Sequence, residues 1–309
     1  MSAGLRRAAP LLVAPRYEVL PAASTEQAVL EWVPKSITLT VTASPVRGLE
    51  PTLALAERLA GHGYPVVPHL SARLVRDPAE LAEIVTRLRA AGIEDVFVPG
   101  GDADPPAGCF DSALSLLREL TELGRPFRRV GITGYPQSHP KIADDITVQA
   151  MWDKRQHASY LVSNLCFDPL VLARWIARVR ARGVTLPLQV GLAGPVDRTR
   201  LLRMAAVAGV RESARFASGH TDWLLRLGTP GGYRPDRLLG RAGTALSTPA
   251  AGVEGLHIFT FNQLRQTEQW RQALLARWGA PPAALAADGN RPLADGGRAA
   301  GEGARSATG

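Results

Sequence analysis

Cysteine is scarce in this sequence of 309 residues, and the two that occur, Cys109 and Cys166, show no C-x-x-C spacing. This scarcity excludes a disulfide framework and gives no cysteine metal motif, and it is typical of a protein of the reducing cytoplasm. No apolar run approaches the roughly 20 residues of a transmembrane helix, so we expect no membrane span. The sequence also lacks G-x-G-x-x-G and the Walker spacing, and so does not favour an open doubly wound sheet.

Lysine is nearly absent as well. Only Lys35, Lys141 and Lys154 occur among the 36 basic residues, although the formal net charge is +8. The arginines are spread along helix-like segments such as LARWIARVRARG and are not gathered into one run with interleaved aromatic residues. This distribution argues against nucleic-acid binding. A positive surface that attracts anionic small molecules and a simple compositional bias both remain open.

What the sequence does contain is a regular series of β-like runs, most of them followed by a helical pattern. After the third run, Asp77 can cap a helix that starts at Pro78, and the helix carries a one-sided apolar stripe. After the sixth run, Asp168 offers the same start, and Gly183 ends that helix. The eight runs are 16–22, 36–44, 64–71, 95–102, 129–136, 160–168, 186–194 and 255–262.

Eight strands that alternate with helices predict an α/β fold, a (β/α)8 TIM barrel in a single catalytic domain over residues 15–280. Residues 1–14 form an N-terminal extension in this interpretation, and residues 281–309, rich in Ala, Gly and Arg, a disordered tail. The stretch that includes 218–243, between strands seven and eight, predicts an extra helix and a mobile loop.

Polar residues at the ends of these runs are the candidate site, because the chemistry of such a barrel lies at the carboxyl ends of its strands. Paired glycines before Asp102 would let the backbone approach a flat ligand. Each residue also has an ordinary explanation: Glu18 can be a solvated carboxylate, and His69 can satisfy a core hydrogen bond. Asp102 and Asp104 have no partner at ligand spacing, so we predict no metal. The candidates are Glu18, Thr40, Thr42, His69, Gly101, Asp102, Tyr135, His139, Asn164, Asn262 and Gln263.

At these strand ends the sequence resembles the methylenetetrahydrofolate reductases. The motifs that carry the resemblance are YEVLPA, VVPHLSAR, VPGGD, GITGYPQSHP, NLCFD and GLHIFTFN, which occur in the family's order across residues 16–280. The resemblance implies a (β/α)8 barrel that reduces 5,10-methylenetetrahydrofolate to 5-methyltetrahydrofolate. In that family FAD usually relays the hydride from NADH or NADPH.

The resemblance also implies roles for individual residues. Glu18 matches the general acid that protonates N10 of the substrate, and Asp102 matches the aspartate beside the pterin. Asn164 stands where the family usually has a glutamine that reads the pterin, and Gln263 is a further candidate for folate binding. Cofactor-lining positions are matched by Thr40, His69, Gly101, Tyr135 and His139.

At three positions the sequence departs from the family pattern in residues that usually bind the flavin. Gly100 stands where the family usually has an arginine, Ile146 near an expected aspartate, and Asp153 where a lysine is expected. Such charges hold a cofactor through charge-assisted contacts, so their loss predicts weak or absent flavin binding. Candidates for a substitute charge are Arg73 and Arg76, just after the third run, and the arginines of the 198–242 region. Direct hydride transfer from the nicotinamide would then be needed.

Two other enzyme classes remain open. A pterin-binding (β/α)8 methyltransferase would also use an acid and a pair of Asp and Asn residues at the pterin. An aldolase-type barrel would need a Schiff-base lysine at a strand end, but Lys35 precedes the second run and Lys154 lies in a helical pattern.

Overall fold

A computed structural model of the chain describes residues 3–136, 144–195 and 235–277, and within them eight strands alternate with helices. All strand pairs are parallel, in the order β3-β2-β1-β8-β7-β6-β5-β4. The strands are β1 (Arg16–Val19), β2 (Thr38–Val41), β3 (Val66–Pro68), β4 (Asp95–Phe97), β5 (Arg129–Gly134), β6 (Tyr160–Ser163), β7 (Leu188–Ala193) and β8 (Val253–Phe259).

The curved sheet closes between β3 and β4. A parallel bridge joins His69 to Phe97, and the N–H of Leu70 donates to the carbonyl of Phe97 at 2.8 Å. The eight strands thus form a nearly closed barrel, and the predicted (β/α)8 fold is confirmed.

Helices cover the outside of the barrel. The described helices are α1 (Ala3–Ala8), α2 (Thr25–Trp32), α3 (Glu50–Gly61), α4 (Pro78–Ala90), α5 (Ala113–Glu122), α6 (Asp144–Lys154), α7 (Pro169–Ala181), α8 (Pro235–Leu246) and α9 (Leu264–Arg277). The start of α4 is the predicted one, since the Asp77 side chain accepts the N–H of Glu80 and Pro78 follows. Asp168 caps α7 in the same way. No described helix is both long and apolar enough to cross a membrane.

The main core lies between the strands and these helices. Leu81, Ile84, Val85 and Leu88 of α4 are all buried, as their spacing predicts. Burial of each such side chain contributes roughly 1.5–3 kcal/mol relative to exposure. The helices are therefore held by one apolar face each, which leaves the strand ends free to carry polar residues.

The N-terminal end of the barrel is filled by an ionic network. The first residues of β1, β4 and β6 meet there: Arg16 donates to Asp95 at 3.0 Å and to the Tyr160 hydroxyl at 2.8 Å. Arg129, the first residue of β5, donates to Glu254 at 2.6 Å. Because the network occupies this end, the opposite, C-terminal end is the place for ligands, as is usual in such barrels.

The N-terminal extension packs on the helix layer. A Cβ atom on Gly243 of α8 would lie 1.9 Å from the carbonyl oxygen of Gly4 in α1, so the two helices are in close contact at these glycines. Arg271 of α9 donates to the carbonyls of Leu12 and Val13. Helix α8 lies in the stretch where an extra helix is predicted. Residues 196–234, with the predicted loop, and 278–309, with the predicted tail, lie outside the described ranges.

Candidate active site at the C-terminal end of the barrel

Glu18 faces the interior of the barrel. Neighbouring residues of a strand point to opposite faces, and Tyr17 points outward, where its hydroxyl donates to Glu268 of α9 at 2.6 Å. The side chain of Glu18 is 17% exposed. A partly buried carboxyl group that still reaches solvent can exchange a proton with a bound ligand.

Two buried histidines flank one oxygen of this carboxyl group. The Nε2 atom of His257 in β8 lies 3.0 Å from Oε2 of Glu18, within hydrogen-bonding distance. The Nε2 atom of His69, just after β3, lies 3.9 Å from the same oxygen, which is too far for a hydrogen bond. Strands β8, β1 and β3 thus bring a carboxyl group and two imidazoles together inside the barrel.

His69 is held in its neutral form. Burial lowers the pKa of His69 from 6.5 to about 4, and the nearby His257 adds to this, although Glu18 acts in the opposite direction. Its ring also lies against Phe97, with the ring centroids 4.7 Å apart. A neutral imidazole offers a ligand one donor and one acceptor, and no positive charge.

Thr40 and Thr42 add hydroxyl groups beside Glu18. Thr40 is the β2 partner of Glu18 in the strand register. The hydroxyl oxygens of both threonines and Nε2 of His69 are buried without a hydrogen bond among the described residues. Because buried polar atoms are nearly always hydrogen-bonded, these three atoms fit the polar edge of a bound ligand.

Asp102 and Tyr135 face each other across the ends of β4 and β5. Asp102 is exposed on the loop after β4. Burial raises the pKa of the Tyr135 hydroxyl, and the negative charge of Asp102 raises it further, while a hydrogen bond to Thr133 lowers it. The electrostatic coupling places these two predicted residues at one side of the mouth.

The loop that carries Asp102 is fixed by Arg73. Its Nε donates to the carbonyl of Ala103 at 2.6 Å, its Nη1 to that of Asp111 at 3.0 Å, and its Nη2 to Asp104 at 3.5 Å. Arg73, a candidate to replace the missing flavin-binding charge, is therefore engaged in holding the protein's own loop. These contacts lie on the C-terminal side of Asp102, so Arg73 binds the loop directly beside this residue.

Gly101 makes a close approach to the protein itself. It has φ +87°, a region that favours glycine, and a Cβ atom there would lie 3.1 Å from Cβ of Ser71. The expected approach to a flat ligand is therefore not needed to explain this glycine. A role of Gly101 in cofactor binding remains a prediction.

Asn164 and Gln263 occupy the ends of β6 and β8. The side-chain carbonyl of Asn164 accepts the N–H of Leu165 at 2.8 Å, and its backbone N–H donates to Gly134 at 2.7 Å. Asn164 is half-buried at the strand end. Gln263 is buried in the turn before α9. For both, folate contact remains a prediction.

The turn after β8 holds the Glu18 strand in place. Thr260 donates its hydroxyl to the carbonyl of Glu18 at 2.6 Å. The side chain of Asn262 accepts from the N–H of Leu20 and donates to its carbonyl, at 2.9 and 3.1 Å. Asn262 has a φ of +56°, an uncommon value for a residue with a side chain. Backbone contacts thus fix the position of Glu18 from the β8 side.

The positions where the sequence lacks an expected flavin-binding charge do not lie together, and two of them, Ile146 and Asp153, are at opposite ends of α6. Ile146 is exposed in the first turn of α6, whereas Asp153 is in its last turn and bonds to Gln149. Trp152 contacts Gly183, which follows α7, and this places the last turn of α6 at the N-terminal end of the barrel. Asp153 is thus remote from the mouth, and its charge has no bearing on a ligand there.

In the part of the chain that the structure describes, neither His139 nor Lys154, the lysine considered for an aldolase-type barrel, is seen at the mouth. His139 lies outside the described residues. Lys154, next to Asp153, is exposed in part, and burial lowers its pKa to about 8, but it lies at the same remote end of α6. Across the described ranges no three His, Cys, Asp or Glu side chains are grouped so that they could hold a metal ion.

His257 is the residue of this site that the sequence analysis missed. It lies inside the apolar run GLHIFTFN, two residues before the strand end, whereas the predicted site residues lie at strand ends. The sequence does contain a signal for it. Side chains alternate between the two faces of a strand, so His257 lies on the same face as Gly255 and Phe259.

Comparison with known proteins gives one family. The sequence profile described as "Methylenetetrahydrofolate reductase" matches residues 23–217. Among solved structures, a putative lyase/mutase from Burkholderia cenocepacia J2315 is 17% identical, with a TM-score of 0.46 over 94% of this chain and 91% of that one. The dihydropteroate synthase of Yersinia pestis is 14% identical, with a TM-score of 0.43 over 87% of this chain and 95% of that one.

Proposed function

The chain belongs to the methylenetetrahydrofolate reductase family, and we propose that it reduces 5,10-methylenetetrahydrofolate to 5-methyltetrahydrofolate with NADH or NADPH. The observation that carries the proposal is Glu18, a half-buried carboxyl group inside the mouth of the barrel, hydrogen-bonded to a buried histidine at 3.0 Å. Such a carboxyl group supports the proposal because the reaction needs an acid beside the bound folate.

The chemistry needs one proton and one hydride. Opening of the imidazolidine ring breaks the bond between the methylene carbon and N10, and Glu18 supplies the proton that N10 takes up. The methylene carbon remains bound to N5 as an iminium cation, which the carboxylate of Asp102 stabilises. The hydride then reduces this carbon to a methyl group. Asn164 orients the pterin by hydrogen bonds.

The residues present fit the ring of a flavin better than its phosphates. The buried hydroxyls of Thr40 and Thr42 and Nε2 of His69 would hold the polar edge of the ring, and a bound flavin would supply hydride relay from the nicotinamide. Arg73, in contrast, is committed to the loop after β4. A pyrophosphate needs cations or helix N-termini, so we infer weak retention of flavin.

We expect the purified protein to be colourless or to lose flavin on dilution. Nicotinamide oxidation should then require folate and no added flavin. The visible spectrum of the protein, taken before and after gel filtration, is the measurement. A flavin absorbance band that corresponds to one flavin per chain after gel filtration would contradict weak retention.

Glu18→Gln tests the proposed reaction. Oxidation of NADH or NADPH, followed by absorbance with methylenetetrahydrofolate present, should fall by at least roughly 100-fold, because the acid is lost while the shape is kept. Folate affinity should change only a few-fold. Glu31→Gln, at an exposed carboxyl group of α2, is the matched control and should keep full activity.

The same assay separates the reductase from a methyltransferase. A wild-type protein that transfers a methyl group from folate without any oxidation of NADH or NADPH would overturn the proposal. Normal turnover of Glu18→Gln would leave the reaction standing but remove Glu18 from it.

A further inference from the structure

Within the described part of the chain, the Glu18 side chain makes one hydrogen bond, and its partner is His257. Its Nε2 lies 3.0 Å from Oε2, while Oε1 has no such partner there. His257 is 1% exposed, and its ring packs edge-on against Phe259 with the centroids 4.9 Å apart. The imidazole is therefore fixed in position, and Glu18 is fixed through it.

The surroundings of the other ring nitrogen decide where the proton of His257 lies. Nδ1 is buried and has no hydrogen-bond partner among the described residues. A buried N–H without an acceptor is rarer and more costly than an acceptor that lacks a donor. The neutral ring accordingly carries its proton on Nε2 and leaves Nδ1 as a bare lone pair.

This tautomer sets the roles of the two Glu18 oxygens. Nε2–H of His257 donates to Oε2, so Oε2 acts as an acceptor in both states of the carboxyl group. In the protonated acid the hydrogen is then on Oε1, the oxygen that has no hydrogen bond to the protein. His69 does not compete for Oε2, because its Nε2 is 3.9 Å away.

We propose that His257 is a positioning residue that donates from Nε2 to Glu18 and so directs the acidic proton of Oε1 toward the substrate. This role rests on the proposed function, in which Glu18 protonates N10. Strand β8 would thus contribute to the reaction through His257, a residue inside the strand, in addition to the residues at the strand ends.

The tautomer can be measured without any substrate. In the full chain labelled with nitrogen-15 histidine, the His257 signals are assigned by their loss in His257→Gln. At about pH 9, where an ordinary imidazole is neutral, we expect the Nε2–H pattern. An Nδ1–H pattern at this pH would overturn the inference, whatever the activity of the protein.

Kinetics of two variants then test the consequence. His257→Gln keeps an amide N–H that can reach Oε2, and His257→Leu keeps the bulk without a donor. We expect His257→Leu to lower kcat more than roughly tenfold with KM for folate within about threefold, and His257→Gln to stay within about threefold of wild type.

The outcomes are separable. Equal loss in both variants, with folded protein by thermal melting, or full turnover in His257→Leu, would contradict a donor role. If His257→Leu does not fold, the nitrogen-15 pattern and His257→Gln decide. A wild-type protein without reductase activity would overturn the proposed function, whereas the tautomer would still be read from the spectrum.

Discussion

His69 is a titratable residue placed where a charge is costly. Its ring lies against Phe97 inside the barrel, and burial lowers its pKa to about 4. The nearby carboxyl group of Glu18 opposes this shift but does not cancel it. A site built this way offers a neutral donor and acceptor to a ligand across the physiological pH range.

A consequence for stability follows from this pKa. Because the folded-state pKa lies below the ordinary 6.5, the contribution of His69 is complete above about pH 6.5 and is lost as the pH falls toward about 4. The free energy of unfolding should drop by about 2 kcal/mol more in wild type than in His69→Gln between about pH 7 and about pH 5. Urea titrations at the two pH values measure it, and equal pH dependence in both proteins would contradict it.

The residue types at strand ends were predictable from sequence, but their neighbours were not. The sequence predicts Glu18 and His69 as site residues because each is a polar residue toward the end of a β-like run, and the structure brings them to one place. It does not predict His257, because a histidine inside an apolar run looks like any core residue until the partner strand is known. Which carboxyl group it meets depends on β1 and β8 being neighbours, 239 residues apart in the chain.

At the scale of elements, the loop after β4 is joined to the segment after β3. The N–H groups of Ala107 and Cys109 donate to the carbonyls of Arg73 and Arg76 at 2.9 and 2.8 Å. Arg73 adds its three side-chain contacts to this connection. The two loops therefore form one unit, and Asp102 is carried by that unit.

Loss of the Arg73 side chain should loosen this unit. In Arg73→Leu, we expect folate affinity to fall roughly tenfold, because the loop must then be ordered at the moment of binding. Isothermal titration with folate measures this. Arg76→Leu is the matched control, since Arg76 is exposed and its side chain pairs with Glu80. Equal affinity in both variants would show that the loop does not depend on Arg73.

Helix starts are the elements that sequence predicts best. Asp77 and Asp168 cap their helices as expected, because a cap depends on residues three positions apart. The eight strands were also predicted, but β4 ends at Phe97 and β6 at Ser163, earlier than expected. The apolar pattern continues past each strand into the loop, where tertiary contacts replace the strand ladder.

For the whole molecule, the filled N-terminal end of the barrel ties distant strands together. Arg16 of β1 is buried and contacts both Asp95 of β4 and Tyr160 of β6. Burial raises the pKa of Asp95, and the charges of Arg16 and Arg129 act against this. This network lies at the end of the barrel opposite the candidate site. It holds together strands whose other ends carry the residues of that site.

Arg16→Met should destabilise the fold by about 3 kcal/mol, because it leaves the carboxylate of Asp95 buried with less compensation. Arg128→Met should change stability by less than about 0.5 kcal/mol, since Arg128 is 81% exposed and lies 3.9 Å from Glu94, which is 71% exposed. Thermal and urea unfolding measure both. Equal effects would mean that the network adds little to the fold.

The closure between β3 and β4 has a consequence for the lifetime of the protein. Its strand pairing is one parallel bridge, between His69 and Phe97. Beyond the bridge, backbone N–H groups donate to the carbonyls of Phe97, Pro99 and Gly100 from Leu70, Ala72 and Arg73. Proteases cut chains that open locally, and a ladder this short makes the seam a place for local opening. In the proposed function, a ligand that contacts both His69 and Asp102 would span this seam, oppose its opening and slow digestion of the protein.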